Sequence, residues 1–157
     1  MSVVESTLLD HPMRGLRTLT RLSSPHRSLV LRALVIVACT RLALSVLSFR
    51  TLQHLINVSV RLPFSLPAET QVTRLVWAVR AASKRVPAAS CLTQSLALQF
   101  MMAQSGRAAR IHIGVAKQSG SVFQAHAWVE YAGTVLLSEL SEIESYSPLI
   151  TMECGQA

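Results

Sequence analysis

Residues 26–60 form a long apolar run rich in Leu, Val and Ile, and its composition predicts helical structure. Arg32, Arg41 and Arg50 interrupt the run, so no uncharged stretch approaches the roughly 20 residues that a membrane span needs. Each arginine near the centre of a span would cost about 2.5–3.5 kcal/mol. A signal peptide is not expected either, because the apolar stretch starts late and lacks a clear cleavage site. We therefore expect helices that pack within a folded domain.

Two prolines, Pro63 and Pro67, end this run, and residues 69–85 resume a helical pattern. The inward face of that helix is expected to consist of Val72, Leu75, Val76 and Val79. The break at the prolines divides the chain into an N-terminal helical region, residues 1–66, and a core, residues 67–157.

A further helix is predicted to begin at Cys91. Ser90 is a favoured N-cap residue, and Pro87 prevents a helix from running smoothly through from the preceding segment. Gly106 has the place of a glycine that ends a helix. One apolar face recurs at four-residue spacing, through Leu92, Leu96 and Phe100.

After this helix the pattern changes to alternation, which predicts strands. Residues 110–116 form the first strand and residues 122–131 the second, with a turn-rich segment between them. Ala132-Gly133 is a plausible two-residue turn into a third strand, residues 134–140. Helices followed by a small antiparallel sheet predict an α+β fold.

The candidate chemistry is a Cys at a helix start followed by a His in a strand. A helix N-terminus favours a thiolate, and a strand can hold an imidazole rigidly as its base, so Cys91 and His126 fit nucleophilic catalysis. The two-residue turn sets Glu139 opposite His126, where a carboxylate would orient the ring. A turn one residue longer or shorter would make Ser138 the partner instead.

Each of these residues also has a plainer interpretation. Cys91 could be a small buried cysteine on a core helix, because free cysteines are commonly buried. His126 could be a surface histidine on an amphipathic strand, and Glu139 a solvated charge near a strand end. The residues alone leave these alternatives open.

Three segments taken together resemble the transglutaminase-like superfamily: SCLTQSLALQFMMAQSG, IHIGVAK and FQAHAWVEYAG. They are most similar to the leader peptidases of lasso-peptide biosynthesis, in the form where the peptidase is a separate chain. The resemblance covers about residues 77–150 and implies a papain-like cysteine peptidase core, with Cys91 as nucleophile and His126 as base. The third member in that family is usually an Asp in the next strand. This chain has Leu-Ser-Glu at 137–139 instead, and Glu139 is preferred because the hairpin register also selects it.

The resemblance further implies a reaction and its partners. The enzyme would remove the leader from a ribosomally made precursor peptide, and an asparagine-synthetase-like cyclase would then close the freed core. No segment resembles a leader-binding module, so we expect a small leader-recognition protein to act in trans. Two alternatives stay open: a transglutaminase-like acyltransferase that uses the same pair with an amine acceptor, and a non-catalytic binding or chaperone protein of the same fold.

Composition narrows the remaining possibilities. A chain of 157 residues suits one domain with a sizeable core. Cys39, Cys91 and Cys154 have neither disulfide-rich nor metal-ligand spacing, which favours a reduced, cytoplasmic protein with Cys39 in the core. Trp77 is also predicted as a core residue. No nucleotide-binding or metal-binding motif occurs, so no cofactor is expected.

The net charge of +7 and the pI near 10.4 require a partner or a solvated basic surface. Nucleic acid is not expected, because the sequence has no interleaved aromatic platform, no zinc pattern and no helix-turn-helix signature. Three interpretations remain: a solvated basic face, an acidic peptide or protein partner, and peripheral contact with anionic lipid.

Overall fold

The computed structural model describes residues 24–59, 66–67, 70–117, 123–138 and 143–153. The described helices are α1 (Ser24–Val46), α2 (Phe49–Ser59), α3 (Val72–Ser83) and α4 (Cys91–Gln104). The described strands are β1 (Arg110–Lys117), β2 (Phe123–Tyr131), β3 (Thr134–Leu136) and β4 (Ser147–Glu153). Helices precede one four-stranded antiparallel sheet, which agrees with the predicted α+β class.

The long apolar run is two helices rather than one, because Ser48 starts a new helix. Its hydroxyl accepts a hydrogen bond from the backbone N–H of Thr51 at 3.3 Å and lies 2.8 Å from the Thr51 hydroxyl. This is the geometry of an N-cap, which satisfies one of the free N–H groups at a helix start. Apolar content alone did not reveal this break.

The buried faces of α1, α3 and α4 meet in one core, which the sheet closes from the other side. The core includes Val30, Ala33, Val37, Leu75, Ala78, Val79, Leu96, Leu98, Met101, Ile111 and Val129. Two predicted core residues lie elsewhere, since Trp77 is 41% exposed and Cys39 is exposed. Trp77 lies outside the buried face of α3 and packs edge-on against His26, with ring centroids 6.1 Å apart.

α1 is the described helix that could cross a membrane by length and composition, over His26–Val46. The same criterion is met by core helices of soluble proteins and by signal sequences near an N-terminus. One side of α1 belongs to the domain core, and Arg32 donates a hydrogen bond to Gln104 at the end of α4 at 3.2 Å. One side of α1 is therefore docked on the domain, while its C-terminal end is exposed.

The order of strands in the sheet is β3-β2-β1-β4. Tyr131 pairs with Thr134, which confirms the predicted two-residue turn. Ala132 and Gly133 both have positive φ, at 50° and 75°, as a type I′ hairpin requires. β3 ends at Leu136, however, and is shorter than the predicted strand over 134–140.

β4 was not among the predicted strands. It pairs with β1 at the edge of the sheet, and the register shifts between Ile113 and Gly114. Pro148 lies within β4, and a proline in a strand argues against a central position but is accepted at a sheet edge or a bulge. Because of this proline, the sequence pattern did not predict a strand here.

Candidate active site

The start of α4 is built as the sequence predicts. Ser90 has extended backbone angles, φ −74° and ψ 170°, and its hydroxyl accepts from the Thr93 N–H at 3.3 Å. Cys91 is therefore the first residue of the helix, where the unpaired N–H groups create positive potential. Its side chain is half-buried.

A buried hydrogen bond ties the first turns of α4 to the strand that carries His126. Ser95 lies one turn after Cys91, and its hydroxyl donates to the Ala127 carbonyl at 3.1 Å. Ala127 directly follows His126, and the partner strand β3 reaches only as far as the pairing of Leu136 with Val129. The elements that carry Cys91 and His126 are therefore in direct contact.

Cys91 and His126 both lie within the described residues, and no hydrogen bond joins the thiol to the imidazole. In the absence of substrate, catalytic hydrogen bonds are often long and tighten only in the reacting complex. The structure thus brings α4 and β2 together. We expect the contact between the Cys91 sulfur and the His126 nitrogen to form when a substrate binds.

The side chain of Ser138 forms a hydrogen bond with the candidate base. Its Oγ lies 2.8 Å from Nε2 of His126. The chain reaches this position because Leu137 has a φ of 71°, which ends the regular hairpin register after Leu136. With Nε2 engaged by the hydroxyl, Nδ1 is the nitrogen left to exchange a proton with a thiol.

Glu139, the preferred third member from the sequence, lies outside the described residues. The register that placed it opposite His126 holds over the three pairs that β3 forms, from Tyr131–Thr134 to Val129–Leu136. β3 ends at Leu136, and Leu137 and Ser138 lie outside the strand. The orienting role of Glu139 stays a prediction.

Two aromatic rings flank the imidazole of His126. The Tyr146 ring lies 5.3 Å from it, tilted by 39°, and the Trp128 ring lies 6.3 Å from it, nearly parallel at 17°. Trp128 is 6% exposed, so it forms a firm side wall. Ring contacts and the Ser138 hydroxyl together restrict the imidazole to one orientation.

Trp128 also contacts a second imidazole, that of His112. The His112 ring stacks on it at 5.5 Å and 16°. Nδ1 of His112 lies 3.0 Å from the Thr151 hydroxyl. Nε2 lies 3.1 Å from the Glu130 carboxylate, at ion-pair distance but without the alignment of a hydrogen bond. Glu130 therefore contacts His112, a different imidazole from the candidate base.

Gly114 provides the space that Trp128 occupies. It lies opposite His126 in the register of β1 and β2. A Cβ atom on Gly114 would lie 2.9 Å from Cη2 of Trp128 and 2.9 Å from the Ser147 carbonyl oxygen. Any side chain there would push the indole or the β4 backbone, so close approach explains this glycine.

Sequence analysis did not assign Trp128, Tyr146 or Gly114 to the site. Strand alternation does place Trp128 on the same face as His126, so that signal was available. Tyr146 precedes the strand that was not predicted, and its contact with His126 has no local sequence signal. Among the described residues, no group of three or more His, Cys, Asp or Glu could hold a metal ion.

A protein-family model described as the transglutaminase-like superfamily matches residues 33–151. The matched region spans more than half of the chain and includes α4, the hairpin and most of β4. Comparison with curated proteins and with solved structures gives no significant match.

Proposed function

The chain belongs to the transglutaminase-like superfamily, and we propose that it is a papain-like cysteine peptidase that removes the leader from a lasso-peptide precursor. The observation that carries the proposal is the oriented imidazole of His126, whose Nε2 is hydrogen-bonded to Ser138. His126 lies on β2, and α4 contacts that strand through Ser95. Cys91 begins α4, one turn before the residue that makes this contact. The three-segment resemblance supplies the leader-peptidase specificity.

In the proposed mechanism Nδ1 of His126 takes the thiol proton, and the Cys91 sulfur attacks the scissile carbonyl carbon. The backbone N–H of Cys91 is free of intrahelical partners and can donate to the oxyanion. The imidazolium then protonates the leaving amine, which departs as the N-terminus of the core peptide. Water hydrolyses the thioester, and the leader is released with a new carboxylate.

The test is incubation of the protein with a precursor peptide and its recognition protein, followed by mass spectrometry. Hydrolysis yields a leader with a free carboxylate and a core with a free amine. A transglutaminase-like acyltransferase would instead join the leader to an added amine. Full activity after alkylation of Cys91 would favour a non-catalytic binding or chaperone role.

We expect the partner of His126 to affect turnover measurably. Ser138→Ala removes the hydroxyl at 2.8 Å from Nε2, and turnover should fall about tenfold because the ring loses its orientation. Ser138→Asp should restore or exceed the original rate, since a carboxylate there would stabilise the imidazolium. Single-turnover rates measure both effects.

Glu139→Gln is the matched comparison for these variants. The sequence-based prediction is a larger loss for Glu139→Gln than for Ser138→Ala, because only the former removes a charge. That ordering would show that Glu139 is the residue that orients His126. The reverse ordering, together with rescue by Ser138→Asp, would assign this role to Ser138 and contradict the hairpin-register prediction.

We propose that a small leader-recognition protein delivers the substrate, while the cyclase acts on the product. A flexible precursor must be ordered before cleavage, and a protein that grips the leader raises the effective concentration of the scissile bond. Cleavage at sub-saturating precursor should therefore accelerate at least about 100-fold when that protein is added. A time course with and without it measures the effect. Equal rates would contradict the dependence and would mean that this chain reads the leader itself.

A further inference from the structure

One side of α1 is an exposed apolar surface. Four aliphatic side chains on it have high exposed fractions: Leu31 53%, Val35 61%, Leu42 67% and Val46 82%. At about 100° per residue, all four fall within an arc of about 60°, along about 22 Å of helix. We call these four residues the α1 stripe. The stripe lies opposite the side of α1 that packs in the core.

The charge around the α1 stripe has a single sign. Arg27 is exposed before its first residue, and Arg50 is exposed just beyond its end, on α2. Between residues 24 and 109 the sequence has Glu69 as its one acidic residue. An apolar strip in a basic, nearly acid-free region is complementary to a surface that is anionic outside and apolar beneath.

We propose that the α1 stripe binds the surface of an anionic phospholipid membrane, with its aliphatic side chains among the acyl-chain ends and the arginines at the phosphates. The stripe contains only Leu and Val, whereas specific protein interfaces concentrate binding energy in Trp, Tyr and Arg anchors. The opposite side of α1 is buried in the core, and Arg32 is bonded to Gln104. The helix therefore lies along the membrane and does not span it. This proposal is independent of the chemistry at Cys91.

The test is co-sedimentation of the full chain with vesicles. Vesicles of phosphatidylcholine with about 30% phosphatidylglycerol should bind the protein, and vesicles of phosphatidylcholine alone should bind it at least about tenfold more weakly. High salt should release the bound protein, because it screens the arginines from the phosphates. Equal binding to both vesicle types, or no binding to either, would overturn the proposal.

A double variant, Val35→Ser with Leu42→Ser, tests the stripe itself. Binding to the anionic vesicles should fall at least about tenfold while the circular dichroism spectrum stays unchanged. The matched control is Leu149→Ser on β4, a site of similar exposure at 65%, which should bind as the original chain does. An equal loss in the control would overturn the assignment to α1. The proposal would also be overturned if the original chain were a dimer and the double variant a monomer, because the stripe would then bind a second copy of the chain.

Cys39 offers a second readout that does not alter the stripe. It is exposed on α1, between Val35 and Leu42 in sequence. In a chain with Cys91→Ala and Cys154→Ala, a polarity-sensitive dye on Cys39 should shift to the blue when anionic vesicles are added. An unchanged emission spectrum with sedimented protein would show that another surface binds the lipid, and would overturn the proposal.

Discussion

Cys91→Ala should abolish leader cleavage, with a loss of at least about 10⁴-fold in turnover. Cys91 is the first residue of α4, where Ser90 caps the helix and the N–H groups of the first turn create positive potential. The measurement is release of leader from the precursor, followed by mass spectrometry under single-turnover conditions.

The other two cysteines provide matched controls. Cys39→Ala alters an exposed residue on α1, and Cys154→Ala alters a residue that lies outside the described residues. Both variants should cleave the precursor at nearly the original rate. Cleavage that persists in a folded Cys91→Ala variant would exclude the proposed nucleophile.

A double variant tests whether Cys91 and His126 act as one unit. Residues that act together in one step give strongly non-additive losses. Cys91→Ala with His126→Ala should therefore be no slower than Cys91→Ala alone. A further large loss in the double variant would mean that His126 contributes to a different step.

Local signals predicted the parts of the structure that local physics determines. Ser90 and Gly106 bound α4 as expected, because capping depends on a few adjacent groups. The Ala132-Gly133 turn has the expected register, since a two-residue hairpin fixes which strand residues pair. These features follow from residues that are neighbours in sequence.

The features that the sequence missed or left open depend on contacts between distant parts of the chain. Ser138, the alternative partner of His126 in the sequence analysis, reaches the imidazole because β3 ends early and Leu137 adopts positive φ. No pattern of apolar residues specifies this path. Trp77 and Cys39 are apolar residues on helices whose inward faces are chosen by the packing of α1 on α3 and α4. Alternation and periodicity identify faces, but tertiary packing decides which face is buried.

Gly114→Ala should lower turnover about 100-fold, because displacing a positioned catalytic group by about 1 Å has an effect of that size. The added Cβ would meet the Trp128 ring and the Ser147 carbonyl at 2.9 Å each, and the indole stacks beside His126. We expect Trp128 to shift and the imidazole to lose its wall. Overpacking of this kind should also reduce the free energy of unfolding by about 1–3 kcal/mol.

Gly133→Ala is the control that separates position from stability. Gly133 has a φ of 75° and no atom within 4 Å of an added Cβ, so alanine strains the turn by about 1–2 kcal/mol without displacing a neighbour. Both variants should therefore unfold at lower urea concentration, while only Gly114→Ala loses turnover. Fluorescence of Trp128 in a Trp77→Phe background should change in Gly114→Ala alone, and the alkylation rate of Cys91 gives a readout that needs no peptide substrate. Equal loss of turnover in two variants of equal stability would show that Trp128 does not position His126.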